Sequence, residues 1–213
     1  MKKEIVPSII AKTQKELDRR VEKIKNYCAT YQIDVMDGKF VKNSSFQFDF
    51  KLPKTRHKVE AQLMVQDPVE WIEKNFSKVD VIIIHVESFK TPKELDEVLK
   101  LIRSKRKKIG LVIKPRTQLR KINRFISKVD MISIMTVHPG KYGARFLPST
   151  LEKVKMLRVK YPRLSLEVDG GITPRTIGLA RKVGANQFIC GSYLQKSKDI
   201  KTAFDILKRG LKK

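Results

Sequence analysis

A chain of 213 residues with 41% hydrophobic and 8% aromatic residues is long enough to bury one core, and this composition excludes a disordered protein. Lys and Arg number 47 against 22 Asp and Glu, and the basic residues fall in helical segments rather than in a tail. The formal charge of +25 is compatible with nucleic acid or with an anionic small substrate, and it predicts a solvated basic surface. The placement of the basic residues, without a tail, argues against specific nucleic-acid binding. Because the chain lacks a stretch of about 18 apolar residues, we expect no membrane partner.

Two cysteines and the amino-terminal residues bear on the compartment. Cys28 and Cys190 do not form a Cys-x-x-Cys pair, and we interpret them as buried, reduced thiols. The first residues are charged and are followed by a short apolar run that Pro7 interrupts, which is not the pattern of a secretory leader. We therefore expect a cytoplasmic protein.

Short runs rich in Val and Ile alternate with amphipathic segments along the chain. The runs have strand length and cover residues 5–10, 32–36, 59–65, 81–86, 109–113, 131–137, 164–168 and 187–190. Helical patterns cover residues 14–27, 68–76, 92–104, 118–126, 151–161, 174–183 and 198–211. Residues 46–57 are irregular, and we expect a long loop with a short helix there. Strands that alternate with helices in this way predict an α/β protein, a (β/α)8 TIM barrel that spans residues 1–213 as a single domain.

Polar residues recur where the predicted strands end, which is the face on which such barrels carry their sites. The second strand runs through Asp34 into Asp37 and Gly38, and a carboxylate that points inward there is costly to bury without a partner or a task. An isolated Asp-x-x-Asp-Gly would instead be interpreted as a loop cap. The other polar strand ends are Ser8, Gln62, His85 with Glu87, Lys114, His138 and Asp169, and Met36, Met64 and Met135 lie at the same level.

The last three strands all end in glycine-containing segments. These are His138-Pro139-Gly140-Lys141-Tyr142-Gly143, Asp169-Gly170-Gly171 and Gly191-Ser192. Each alone is explained by a tight turn. Three at successive strand ends favour a phosphate site, because glycine exposes backbone N–H groups to an anion and barrels commonly place a phosphate there.

The strand ends also contain short motifs that are highly specific in combination. They are Pro7-Ser8-Ile9-Ile10, Asp34-Val35-Met36-Asp37-Gly38, Leu63-Met64-Val65, His85-Val86-Glu87, Lys114-Pro115, Met135-Thr136-Val137, Val168-Asp169-Gly170-Gly171-Ile172 and Gly191-Ser192. With these motifs the chain resembles the ribulose-phosphate 3-epimerase family along nearly its whole length.

The resemblance implies an isomerase of carbohydrate metabolism, in the pentose phosphate pathway, that exchanges a proton at C3 of a phosphorylated ketose. It implies that Asp34 and Asp169 are the catalytic carboxylates, one removing the C3 proton and the other returning a proton on the opposite face, with an enediolate between. Inversion without a redox cofactor needs two such acid/base groups. The resemblance further implies that Ser8 supports the base, that Met36, Met64 and Met135 line the cavity, and that Gly140, Gly143, Gly170, Gly171, Gly191 and Ser192 surround the substrate phosphate.

The chain departs from the family at the metal. Family members hold a divalent ion between these two Asp and two His, and here Gln32 and Gln62 occupy the His positions. A glutamine oxygen is a weaker and harder ligand than imidazole, so zinc bound as in the family is not expected. Three interpretations stay open: a harder ion on Asp34, Asp169, Gln32 and Gln62, catalysis without a metal, or loss of activity. The cofactor is therefore one divalent ion of manganese, magnesium, iron, cobalt or zinc, or none.

Other functions remain compatible with these residues. The substrate is either a pentulose phosphate or another ketose phosphate such as a hexulose 6-phosphate, and a non-catalytic sugar-phosphate-binding barrel is a further alternative. Decarboxylases and hexulose-phosphate synthases of this fold carry Asp-x-Lys-x-x-Asp on one strand, but Met36 stands where that Lys would be. Relatives form dimers or hexamers, so we expect a homo-oligomer.

Overall fold

The computed structural model describes residues 1–140 and 143–212, and within these ranges it contains nine strands. They are β1 Glu4–Ile9, β2 Thr30–Asp37, β3 Ser44–Ser45, β4 Lys58–Met64, β5 Val81–His85, β6 Lys108–Ile113, β7 Met131–Met135, β8 Ser165–Asp169 and β9 Gln187–Cys190. The Val-rich and Ile-rich runs predicted as strands are all strands, with ends that shift by one or two residues.

Eight of these strands close into a barrel. Around the barrel the order is β1, β9, β8, β7, β6, β5, β4 and β2, and β2 pairs again with β1, with every one of these pairs parallel. The short strand β3 lies outside this ring and pairs antiparallel with the end of β2, where Met36 faces Ser45. The predicted (β/α)8 barrel is confirmed.

Seven α-helices lie in the described part of the chain. They are α1 Gln14–Ile24, α2 Val69–Asn75, α3 Pro92–Ser104, α4 Leu151–Lys160, α5 Ile177–Lys182, α6 Ser192–Lys196 and α7 Ile200–Lys212. Threonine caps begin two of them, since Thr13 accepts a hydrogen bond from the Glu16 N–H (3.2 Å) and Thr91 accepts one from the Glu94 N–H (3.2 Å). None of the helices in these residues is both long and apolar enough to cross a bilayer.

Two predicted helices are wrong. Residues 118–126 form two short 3₁₀ helices, Leu119–Lys121 and Asn123–Lys128, in place of one α-helix. Phe125 and Ile126 lie three and four residues after Ile122, and all three are buried. This spacing places them on one face of an α-helix or of a 3₁₀ helix, so it does not distinguish the two geometries.

The short helix expected within 46–57 is also absent, because that described segment has no helical residues. Its aromatic residues pack on each other, with Phe46 and Phe50 buried and their ring centroids 5.2 Å apart, in place of a helical face. The segment predicted as 174–183 is helical only over α5, and an additional helix, α6, precedes α7.

Side chains along each barrel strand alternate between the barrel interior and the helix layer. On β2, Ile33 and Val35 belong to the large core between strands and helices, whereas Asp34 and Met36 face the interior. A separate apolar cluster fills part of the interior and consists of Val81, Ile83, Val112, Met131, Met135 and Val137. The alternation therefore carries the polar residues of β2 away from the main core and into the centre of the barrel.

The interior also requires a glycine in β6. Gly110 pairs with Ile83, and a Cβ atom at Gly110 would lie 2.7 Å from Ile83 Cγ1. We expect Gly110→Ala to lower the free energy of unfolding by about 1–3 kcal/mol, because the added methyl group overpacks the barrel. Gly178→Ala is the matched control, since nothing lies within 4 Å of a Cβ there and α5 should gain helix propensity. Urea unfolding of both variants measures the difference, and equal stabilities would contradict this account of the interior.

Candidate functional site

A cavity of about 510 Å³, counted to its open mouth, lies at the carboxyl ends of the barrel strands. Its wall contains every residue predicted to be catalytic or to bind substrate: Ser8, Asp34, Met36, Met64, Met135, Gly140, Gly143, Asp169, Gly170, Gly171, Gly191 and Ser192. The other described residues in the wall are Ile10, Val137, Pro139, Ala144 and Ile172. Lys141 and Tyr142, in the middle of the predicted glycine-containing loop, lie outside the described residues. The structure thus brings together residues from distant parts of the chain.

The two aspartates come from β2 and β8 and are nearly inaccessible, at 6% exposure for Asp34 and 7% for Asp169. Burial raises the pKa of Asp34 to about 6, although hydrogen bonds from Gln32 and Ser8 oppose the shift. Burial also raises the pKa of Asp169 well above its usual range, with repulsion from Asp34 adding to the shift and a hydrogen bond from Gln62 opposing it. Both carboxylates lie in the wall of the same cavity.

The second carboxylate of the Asp-x-x-Asp-Gly stretch has a different task. Asp37 Oδ1 accepts the backbone N–H groups of Lys39 and Phe40, each at 2.8 Å, and Oδ2 accepts that of Gln66 at 2.7 Å. These hydrogen bonds outweigh partial burial and lower the Asp37 pKa. Asp37 is therefore the loop cap, whereas Asp34 belongs to the cavity.

Gln32 and Gln62 lie below the cavity wall and are fully buried. Gln32 Nε2 donates to Asp34 Oδ1 (2.9 Å) and to Gln62 Oε1 (2.9 Å). Gln62 Nε2 lies 3.4 Å from Met135 Sδ and 3.4 Å from His85 Nε2. The amide nitrogens thus face the polar groups of the site.

Four predicted metal ligands are thus adjacent, but their donor atoms do not suit a divalent ion. A cation needs oxygen or nitrogen lone pairs, whereas Gln32 directs its N–H groups at Asp34 and Gln62, and Gln62 Oε1 already accepts a hydrogen bond. Gln32 Oε1 is the one oxygen of the two amides without a partner among the described residues. Across residues 1–140 and 143–212, no three His, Cys, Asp or Glu side chains are grouped to hold a metal. As arranged, Asp34, Asp169, Gln32 and Gln62 do not fit the family's metal.

The amide pair continues into a second polar group at the end of β5. His85 is fully buried, and its Nδ1 lies 3.4 Å from Glu87 Oε2. Glu87 Oε1 accepts the Lys114 N–H at 2.8 Å and also the Thr117 hydroxyl. Burial lowers the pKa of His85, although Glu87 opposes the shift. Because the Glu87 carboxylate is an acceptor, this geometry favours Nδ1–H directed to Glu87 and Nε2 accepting from Gln62. His85 therefore supports the amides from below and does not line the cavity.

Glycine is required where the last strands leave the barrel. Gly170 has φ +103°, and a Cβ atom there would lie 2.3 Å from Val137 Cγ2. Gly171 has φ +66°, and its Cβ would lie 2.9 Å from Phe146 Cβ. A larger residue at either position would displace a neighbouring side chain and close the approach to the backbone. Gly191 directly precedes α6, so the N–H groups of this short helix begin at the cavity wall.

Two buried carboxylates of the barrel interior escaped the sequence analysis. Glu60 and Glu167 are fully buried, and Lys58 Nζ lies 3.2 Å from Glu60 Oε1. Burial raises the pKa of both glutamates, and Glu167 is raised further by repulsion from Glu60 and Asp169. Each stands two residues before Gln62 or Asp169, so period-two alternation was the signal that would have placed them on the same inward face. The interior thus holds four carboxylates.

Comparisons with known proteins agree with this geometry. The ribulose-phosphate 3 epimerase family matches residues 4–195. Ribulose-phosphate 3-epimerase of Schizosaccharomyces pombe is 34% identical over 196 residues, which cover 88% of this chain and 85% of that protein. The Candida glabrata ribulose-phosphate 3-epimerase is 31% identical over 231 residues, which cover 98% of this chain and 92% of that protein. Among solved structures, 3-hexulose-6-phosphate synthase from Salmonella typhimurium matches with a TM-score of 0.71 at 11% identity over 98% of both chains, a likeness of fold alone.

The cluster around Glu87 makes a pH-dependent contribution to stability. Hydrogen bonds from His85, Thr117 and Lys114 outweigh burial and hold the pKa of Glu87 below its ordinary 4.5. The stabilising contribution of Glu87 is therefore fully present above pH 4.5, and it is lost as the pH falls through the lower pKa that Glu87 has in the folded protein. We expect Glu87→Gln to cost about 1–3 kcal/mol near neutrality, because an amide N–H would face the His85 Nδ1–H.

Chemical denaturation between acidic and neutral pH measures this contribution. The stability difference between wild type and Glu87→Gln should narrow as the pH falls below 4.5. Glu97→Gln, on the exposed face of α3, is the control and should match wild type throughout. A Glu87→Gln difference that stays constant over this range would contradict the ionised role of Glu87.

Proposed function

The chain belongs to the ribulose-phosphate 3-epimerase family and is a sugar-phosphate epimerase, and we propose that it converts D-ribulose 5-phosphate to D-xylulose 5-phosphate. The observation that carries this proposal is the placement of Asp34 and Asp169 on two separate strands that face one cavity. Two carboxylates on different strands are suited to act on opposite faces of one carbon, which a single base cannot do.

In the proposed reaction one carboxylate removes the proton from C3, and the electron pair of that C–H bond forms the enediolate with the C2 carbonyl. The other carboxyl group then delivers its proton to C3 from the far side, which inverts that centre. Each group ends in the protonation state of its partner, so proton exchange with solvent or the reverse reaction restores the starting form. The buried position of Asp34 and Asp169 supports this role, because water would otherwise compete for the transferred protons.

The substrate phosphate is proposed to bind where Gly143, Gly170, Gly171, Gly191 and Ser192 line the cavity. A Cβ atom would lie 2.3 Å from a neighbouring side chain at Gly170 and 2.9 Å at Gly171, and a helix begins nearby in the sequence at Ser192. The aspartates and methionines lie elsewhere in the same wall, so a phosphorylated ketose would have its carbonyl end near the carboxylates. The formal charge of +25 favours the approach of such an anion.

Two narrower statements belong to the same proposal. Conversion of a pentulose phosphate places the enzyme in the pentose phosphate pathway of the cytoplasm, and the free thiols of Cys28 and Cys190 suit a reducing compartment. A homo-oligomer is the expected assembly, as in the family. Epimerisation of a hexulose 6-phosphate remains the second candidate, since the described glycine-containing wall would hold either phosphate.

Solvent exchange tests the proposed chemistry directly. In D₂O the wild-type protein should convert ribulose 5-phosphate to xylulose 5-phosphate that carries deuterium at C3. Proton NMR measures this incorporation. We expect Asp34→Asn and Asp169→Asn each to lower kcat by about 10²–10⁴-fold, because each variant retains the shape but cannot exchange a proton at one face. Asp67→Asn is the control, since Asp67 caps α2 away from the cavity through the Val69 N–H.

The contrary outcomes separate the alternatives. Exchange at the wild-type rate in both folded Asn variants would contradict the two-carboxylate mechanism. A folded wild-type protein that leaves ribulose 5-phosphate unchanged but exchanges a hexulose 6-phosphate would move the substrate to the second candidate. Tight binding of either sugar phosphate without exchange would indicate a non-catalytic barrel.

A further inference from the structure

The two glutamines connect the carboxylates through hydrogen bonds. Gln32 Nε2 donates to Asp34 Oδ1 and to Gln62 Oε1, both at 2.9 Å. Gln62 in turn interacts with Asp169, where it opposes the rise in the pKa of that carboxyl group. The path therefore runs from Asp34 through Gln32 and Gln62 to Asp169, and we call the Gln32–Gln62 pair the amide bridge.

We propose that the amide bridge occupies the place of a divalent ion between the two carboxylates, so that this epimerase binds no catalytic metal. The inference rests on the proposed function for its catalytic meaning, but its structural content concerns ion binding alone. An ion between two carboxylates holds them at a fixed separation and offsets their negative charge. The amide bridge does both through Gln32 Nε2, which donates to Asp34 Oδ1 and to Gln62 Oε1, two oxygens that an ion would need.

The direction of the Gln32 amide decides between an ion and a bridge. If the Gln32 amide were rotated by 180°, its oxygen would lie about 2.9 Å from Asp34 Oδ1 and from Gln62 Oε1. Three acceptor oxygens would then face one another without a shared hydrogen. The present direction satisfies both hydrogens of Gln32 Nε2 in a site that water does not reach. The bridge is therefore the arrangement that these residues adopt by themselves.

Gln62 is held from the opposite side by His85. His85 Nδ1 lies 3.4 Å from the carboxylate oxygen Glu87 Oε2, an acceptor that favours a hydrogen on Nδ1. That tautomer leaves a lone pair on His85 Nε2, which lies 3.4 Å from Gln62 Nε2. Turning the Gln62 amide would place its oxygen against this lone pair and would also withdraw the acceptor that Gln32 uses. Both amides are thus fixed by their neighbours, and a hard ion would have to reverse both.

One oxygen remains for a cation. Gln32 Oε1 is buried and has no hydrogen-bond partner within the described residues. A hard divalent ion takes about six oxygen ligands, and carboxylates supply most of them in protein sites. One neutral oxygen beside two carboxylates that already accept hydrogen bonds falls well short of this requirement.

Metal binding by the substrate-free protein tests the proposal without reference to activity. The variants are Gln32→His/Gln62→His, which restores the two imidazoles of the family, and Gln66→His/Gln118→His, which adds two imidazoles at exposed positions. Calorimetric titration with Co²⁺ and Mn²⁺, together with the visible spectrum of bound Co²⁺, measures the affinity. We expect wild type and the exposed control to behave alike, and the restored variant to bind one equivalent of Co²⁺ at least about tenfold more tightly.

Stoichiometric binding of Co²⁺ or Mn²⁺ by wild type, weakened tenfold or more by Gln32→Leu, would overturn the proposal. So would metal retained at one equivalent per chain after purification in chelator and measured by elemental analysis. Thermal unfolding of each variant confirms that it is folded. If the restored variant is unfolded, the comparison of wild type with Gln32→Leu and with the exposed control still decides the outcome.

A kinetic readout tests the positioning role. Gln32→Leu and Gln62→Met remove the amide hydrogens at similar volume, and we expect kcat to fall about 10–100-fold, as for the loss of one hydrogen bond to a charged group. KM should change less than about threefold, because the phosphate contacts lie elsewhere in the wall. Wild-type activity should be unchanged in excess chelator. Activity abolished by chelator and recovered with Mn²⁺ would contradict the amide bridge.

The two proposals fail separately. If the protein does not epimerise ribulose 5-phosphate, the D₂O experiment shows this while the Co²⁺ titrations still report whether the site accepts an ion. If the site binds a metal, the titrations show this even when the epimerase activity is as proposed.

Discussion

The burial of four carboxylates inside one barrel is the constraint on which the rest of the structure depends. Asp34, Glu60, Glu167 and Asp169 all lie in the interior, and burial raises the pKa of each one. Ionised groups in such a place repel one another and lose hydration, so the interior must supply donors or retain protons. Lys58 forms an ion pair with Glu60 near the start of β4. At the carboxyl ends of the strands, where the aspartates line the cavity, two neutral amides supply the hydrogen-bond donors.

Neutral amides suit that place because each one both donates and accepts. Gln32 can therefore join a carboxylate to a second amide, and Gln62 can join that amide to Asp169 and to His85. Imidazole rings, by contrast, present a lone pair when neutral and lend themselves to an ion. Gln32 and Gln62 stand where the family resemblance implies two His, so in our proposal the space between the aspartates holds an amide pair in place of an ion.

The cavity divides its tasks between rigid strands and glycine-containing loops. The aspartates lie on β2 and β8, whose pairing with neighbouring strands fixes them, as proton transfer at a single carbon demands. The phosphate is assigned to positions such as Gly170 and Gly171, where the backbone itself is exposed and the positive φ angles exclude larger residues. In the proposed function, the basic surface attracts the anionic substrate from solution.

The sequence by itself determined the barrel, the two aspartates and the glycine-containing wall, because these depend on local strand patterns and on motifs that each strand end carries. It also located the exchange of two His for Gln32 and Gln62. It failed at residues 118–126, where 3₁₀ and α geometry share the same apolar spacing. Only the tertiary structure decided that the amide nitrogens face the carboxylates, since that direction is set by Asp34, Gln62 and His85 together. Those residues lie on three different strands, and hydrogen-bond direction between strands is a property of their packing that no stretch of sequence contains.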